Sequence, residues 1–92
     1  MLIDVVKNIL VNQMDIDEAS ITMETRLNED LKFDSIDKAE LITSLEDEFN
    51  VMVDYEQVLH VNTIEEIVEE IKKYVKEWFF SHLLALKIKN NK

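Results

Sequence analysis

Apolar residues recur at steps of three and four in three stretches of this chain, the spacing of one face of an α-helix. In the first, Leu2 to about Gln13, the stripe is Ile3, Val6, Ile9 or Leu10, and Gln13, with Asp4 near the N-terminus, where the helix dipole favours a carboxylate. In the second, Ile36, Ala39, Ile42, Leu45 and Phe49 step along one side. This helix starts well: Asp34 is a preferred N-cap, and Asp37 three residues on can close a capping box. Asn50 is a tolerated left-handed stop. In the third, Ile64, Ile67, Val68, Ile71 and Val75 form the stripe behind Thr63 as N-cap, with acids early and Lys72, Lys73 and Lys76 late.

The connections are less regular. Met14 to Phe33 has no sustained period, although Asp17–Ala19 suits one helical turn and Ile21, Met23, Leu27 and Leu31 can pin the segment to a core. An unstructured stretch of this length is usually functional. Asp54 to Leu59 predicts a short helix capped by Asp54, with Val58 and Leu59 inward; His60 is expected in the adjoining loop. The prediction is all-α: a four-helix bundle with a short third helix, followed by an apolar C-terminal extension that continues as helix.

The chain is 92 residues long, which suits one small domain, 1–77, with 78–92 as the extension. Apolar content of 47% excludes disorder despite a net charge of -10. Without cysteine there is no disulfide, thiolate metal site or cysteine nucleophile. Asp15-Ile16-Asp17 fails as a calcium loop, because Ser20 and Arg26 stand where glycine and a bidentate acid are required. Neither a bilayer-spanning apolar run nor a signal segment at Met1 is evident, so the expected compartment is the cytoplasm.

Charge is unevenly placed. Asp15 to Glu70 holds 18 acids against Arg26, Lys32 and Lys38, whereas six lysines face Glu77 from Ile71 onward. The acidic middle argues against nucleic acid as a partner and for basic protein surfaces. Taken alone, it is also what a merely solvated surface looks like.

Ser35, in the first turn of the second helix, is on its own terms an ordinary helix-start residue. It is poorly equipped as a nucleophile, since neither His60 nor His82 lies in a recognisable nucleophile motif. Any chemistry there is done to the serine rather than by it.

Asn28-Glu29-Asp30-Leu31-Lys32-Phe33-Asp34-Ser35-Ile36-Asp37, then Glu40-Leu41 and Leu45-Glu46-Asp47-Glu48-Phe49, resembles the acyl carrier protein family, from about Val5 to Tyr74 and including Val61-Asn62-Thr63-Ile64. The resemblance implies that Ser35 is esterified with 4'-phosphopantetheine, taken from coenzyme A by a separate phosphopantetheinyl transferase, and that the arm's thiol carries acyl groups as thioesters. The chain itself would not be an enzyme. It further implies that Asp34 and Asp37 flank the attachment site, that Ile36 stands for the family's leucine, and that Glu40, Glu46, Asp47 and Glu48 form the face read by basic patches on acyl-processing enzymes. Fatty acid or related acyl-chain biosynthesis is the expected setting. A carrier of amino-acid or polyketide cargo is the first alternative, and a non-carrier acidic adaptor the second.

Residues including Phe33, Ile42, Leu45, Val58, Leu59, Val61 and Ile67 are placed to part and shelter an acyl chain, or simply to pack. The chain departs from the family at several points. Lys32 replaces a common glycine, at a cost of about 1 kcal/mol if the backbone there is left-handed. Asp54 replaces a common proline, Lys38 is expected to place positive charge beside the acidic face, and Thr43 stands where a larger apolar residue often touches partners. The segment Trp78–Lys89 is too apolar to stand alone in water. Self-association or partner docking is preferred for it over folding back, and contact with a membrane surface is the least favoured.

Overall fold

A computed structural model of the protein describes residues 2–75. Helix α1 is Leu2–Asn12, α2 Ser35–Phe49 and α3 Tyr55–Val58, and α4 runs over 64–75. A 3-10 turn, Glu18–Ser20, divides the long connection and is capped by the Asp17 side chain. Among the described residues there is no strand, only the bridge between Arg26 and Thr63. The four-helix, all-α expectation is met. The expected extension, 78–92, lies outside the described residues.

The core draws on all four helices and the long connection. Val6, Ile9 and Leu10 from α1 meet Leu41, Ile42 and Leu45 from α2, Val58 from α3, and Ile64, Ile67, Val68 and Ile71 from α4. Ile21, Leu27 and Phe33 are buried with them, and Met23 and Leu31 pack partly against them, so the connection is pinned as its apolar residues predict. Each fully buried aliphatic side chain stabilises by about 1.5–3 kcal/mol. The exposed ion pairs Glu69–Lys72 and Glu70–Lys73 contribute about 0–1 kcal/mol each, so packing decides this fold.

The connection is also stitched to the start of α4. Leu27 N–H donates to the Asn62 carbonyl at 2.6 Å, while Ile64 and Glu65 N–H donate to the carbonyls of Thr25 and Met23 at 3.0 Å each. These last two bonds satisfy donors that a helix N-terminus leaves without partners. Thr63 and Glu66 close a second capping box: Glu66 N–H reaches Thr63 Oγ1 at 3.1 Å, and Thr63 N–H reaches Glu66 Oε1 at 3.0 Å.

Three expectations of inward placement are corrected. Ile36 is not on the buried stripe of α2 but is 76% exposed, and the stripe is Lys38, Leu41, Ile42 and Leu45. Successive steps of three each fall short of a turn, so Ile36 ends roughly 180° from Leu45. Leu59, expected inside, is 44% exposed, because it is the C-cap of the one-turn α3, whose inward side is filled by Val58 with Tyr55 packed partly against the core. Gln13 lies past the end of α1, exposed, with its side-chain oxygen accepting from the Ser44 hydroxyl at 2.8 Å.

Candidate functional site

The site forms where the long connection turns into α2. Asn62 fixes the approach: its Oδ1 accepts from Asn28 N–H at 3.1 Å, and its Nδ2 donates to Glu29 at 2.8 Å. Arg26 pairs with Asp30 at 3.2 Å, and the Asp30 carboxyl is held below the usual carboxylate range, first by the Arg26 backbone N–H and then by its guanidinium. Lys32 follows with φ 60, the left-handed region, where glycine is at ease and a lysine Cβ is crowded. That turn lets Phe33 enter the core and brings Asp34 to the head of the helix.

At the head, Asp34 and Asp37 close the expected capping box. Asp37 N–H donates to Asp34 Oδ1 at 2.9 Å, and Asp34 N–H donates to Asp37 Oδ2 at 3.0 Å. The Asp37 N–H holds the Asp34 carboxyl below the usual carboxylate range. Ser35 is the first helical residue and is exposed. Its hydroxyl has no hydrogen-bond partner among the described residues, of which His60 is the only histidine. Its carbonyl accepts from the Tyr55 hydroxyl at 3.0 Å, which ties α3 to the first residue of α2.

Beside Ser35 lies an open cavity of about 180 Å³, lined by Asn28, Asp34, Ser35, Lys38, Tyr55 and Leu59. These residues fit a phosphopantetheine arm. The hydroxyl that would carry its phosphate stands at a helix N-terminus, where backbone N–H groups and the dipole favour an anion. The cavity's lining mixes polar and apolar side chains, which suits an arm that begins with a dimethyl-bearing carbon and a hydroxyl and continues with amides.

Lys38 is a correction. It does not place its charge beside the acidic face. It is only 6% exposed, and its ammonium donates to the Val61 carbonyl at 2.7 Å and the Leu59 carbonyl at 3.1 Å. Its charge is one of the weaker influences that hold Glu66 below the usual carboxylate range; the Thr63 backbone N–H is the strongest.

The residues expected to meet partners fall into two groups. Ile36, Glu40 and Asp47 are exposed, and with Thr43 they follow one another by steps of four and three, so they share a face of α2 that starts beside Ser35; Glu48 is exposed next to it. Asp37 and Glu46 are half-buried and already engaged. Asp37 serves the capping box, and Glu46 Oε2 accepts from Val53 N–H at 2.8 Å, holding the turn after α2. His60 is exposed beside α3, as expected. Sequence reasoning missed Tyr55 and the inward course of Lys38. Neither gives a local signal, because their partners lie 20 to 23 residues away. The Thr63–Glu66 box was visible as a threonine with a glutamate three residues on.

A family profile described as "Phosphopantetheine attachment site" matches residues 4–71. The chain is 40% identical to the acyl carrier protein of Phytoplasma australiense over 73 residues, covering 79% of this chain and 96% of that protein. It is 40% identical to the acyl carrier protein of Buchnera aphidicola over 70 residues, covering 76% and 90%. It is 36% identical to the acyl carrier protein of Clostridium acetobutylicum over 77 residues, covering 84% of this chain and all of that protein. The chain therefore belongs to the acyl carrier protein family, whose members hold 4'-phosphopantetheine covalently and are carriers rather than enzymes.

Proposed function

We propose that Ser35 is the attachment residue and that the chain carries acyl intermediates for fatty acid or related acyl-chain biosynthesis. The observation that carries this reading is the exposed Ser35 hydroxyl at the capped head of α2, beside an open cavity of about 180 Å³. In loading, Ser35 Oγ bonds to the phosphorus of coenzyme A that bears the pantetheine. The bond from that phosphorus to the nucleotide half breaks, and the serine proton passes to a base on the transferase. The bound arm supplies a thiol on which acyl groups ride as thioesters.

The exposed face Ile36–Glu40–Thr43–Asp47 would meet the transferase and the acyl-processing enzymes through basic docking patches. Acidic carboxylates there steer association more than they set affinity. The working unit is 1–77, with 78–92 a separate segment available for self-association. No helix among the described residues is long and apolar enough to cross a membrane, and the setting proposed is the cytoplasm.

The pathway is tested on protein isolated from its own cells, by releasing the thioester with hydroxylamine and identifying the acyl group by mass. Straight-chain acyl groups support the proposal. Aminoacyl or polyketide cargo would replace the pathway and keep the carrier. Partner binding that is unchanged by Ser35→Ala, on a chain that carries no arm, would favour the acidic adaptor.

A further inference from the structure

Lys38 stands between Ser35 and the core. It is three residues from Ser35 and three from Leu41, the first fully buried aliphatic of α2, and it lies on the same buried stripe. Its stem lines the cavity beside Ser35, while its ammonium crosses from α2 to the Leu59 and Val61 carbonyls that follow α3. Ile42, Val58 and Val61 are all buried in the core that these elements share. A chain attached at Ser35 and heading inward along α2 therefore meets a buried cation before it meets hydrocarbon.

We propose that Lys38 is a cargo-selecting residue, whose ammonium bolts the gap between α2 and the Leu59–Val61 segment so that an unbranched hydrocarbon cargo is kept out of the core. Opening the gap breaks two charge-assisted hydrogen bonds to carbonyls, and a hydrocarbon chain replaces neither. Short acyl groups lose little, because they have few methylenes to bury. The inference rests on Ser35 as the attachment site. It reverses the expectation that the residues around Val58 and Val61 part to shelter an acyl chain.

The test compares acetyl and octanoyl thioesters on the loaded parent, on Lys38→Met and on Lys38→Arg. Each alkaline hydrolysis rate is referred to the same acyl group on free pantetheine, and melting temperature is followed in parallel. Each methylene fully withdrawn from water changes an equilibrium constant about fourfold, so shelter is readily seen. In the parent, the octanoyl and acetyl ratios should agree within about twofold, with no rise in melting temperature with chain length. In Lys38→Met the octanoyl thioester should hydrolyse at least about tenfold more slowly than in the parent, and the melting temperature should rise with chain length. Lys38→Arg, which keeps the cation, should behave as the parent. If Lys38→Met does not fold, Lys38→Gln takes its place with the same direction expected.

A loaded parent that already shelters octanoyl, or a folded Lys38→Met identical to the parent, overturns the inference and leaves the carrier reading intact. A folded parent that accepts no arm on Ser35 overturns both.

Discussion

The Tyr55 hydroxyl donates to the Ser35 carbonyl at 3.0 Å, so the one-turn helix α3 holds the backbone of the residue on which the proposed chemistry depends. Helices of four residues do not persist alone, and α3 stays in place through Val58 in the core, the Asp54 cap and this bond. Tyr55→Phe should lower stability by about 0.5–1.5 kcal/mol, the net worth of one hydrogen bond. Urea unfolding followed by circular dichroism measures it. A change within error would mean that the bond does not hold α3 in solution.

Lys32 occupies the left-handed region at φ 60, where glycine carries no Cβ penalty. Lys32→Gly should raise stability by about 0.5–1 kcal/mol, the relief of the steric cost less the greater entropy of an unfolded glycine. Asn50, at φ 54, is a residue type that tolerates this region, and Asn50→Gly should change stability by less. Denaturant midpoints of the two variants side by side check the ranking, and a greater gain at Asn50 would contradict it.

Asp34 brings a pH dependence whose sign is fixed by its cap. The Asp37 N–H pulls the folded carboxyl below its ordinary value of 3.8, so the charged form is favoured in the native state. The resulting stability is fully present above 3.8 and is lost as pH falls from there through the lower folded value. Glu66, lowered from 4.5 first by the Thr63 N–H, adds a loss of the same sign beginning slightly higher. Asp34→Asn keeps a side-chain oxygen for the cap but cannot titrate, so its melting temperature should fall less between pH 5 and pH 3 than the parent's. An equal fall in both would remove Asp34 from the account.

Charge reversal separates recognition from fold on α2. Glu40→Lys with Asp47→Lys alters two exposed residues outside the core and outside both capping boxes, so helicity should stay within a few per cent. The rate of arm transfer should fall, and raised salt should narrow the difference from the parent. Stopped-flow or discontinuous mass assays read the rate. An unchanged rate at low salt would take the acidic face out of partner recognition.

Residues 2–75 contain the whole proposed site, and the family match ends at residue 71. A chain truncated after Glu77 should therefore accept the arm as the parent does, with any change confined to self-association. Loss of loading in a folded truncation would contradict the division at 77.

Most of the fold was legible because its signals are local. The Asp34–Asp37 box, the Asn50 stop and the stripes of α1 and α4 each rest on residues within about three turns of one another. The α2 stripe misled because Ile36 satisfies a stepwise reading yet lies on the far side once the steps are summed as rotation. Lys38 was unreadable for a different reason. A lysine on a buried stripe is settled by carbonyls 21 and 23 residues away, and nothing near it in sequence announces them. Ser35 lay between these cases: its place in the helix was readable from its neighbours, whereas its role rests on the wider pattern that the family match supports.

The most direct test is the intact mass of the parent and of Ser35→Ala after incubation with coenzyme A, magnesium and a promiscuous phosphopantetheinyl transferase. The parent should gain one phosphopantetheine and the variant none. A folded parent left unmodified, with the transferase of its own source organism as well, or a Ser35→Ala chain that still gains the arm, would contradict it.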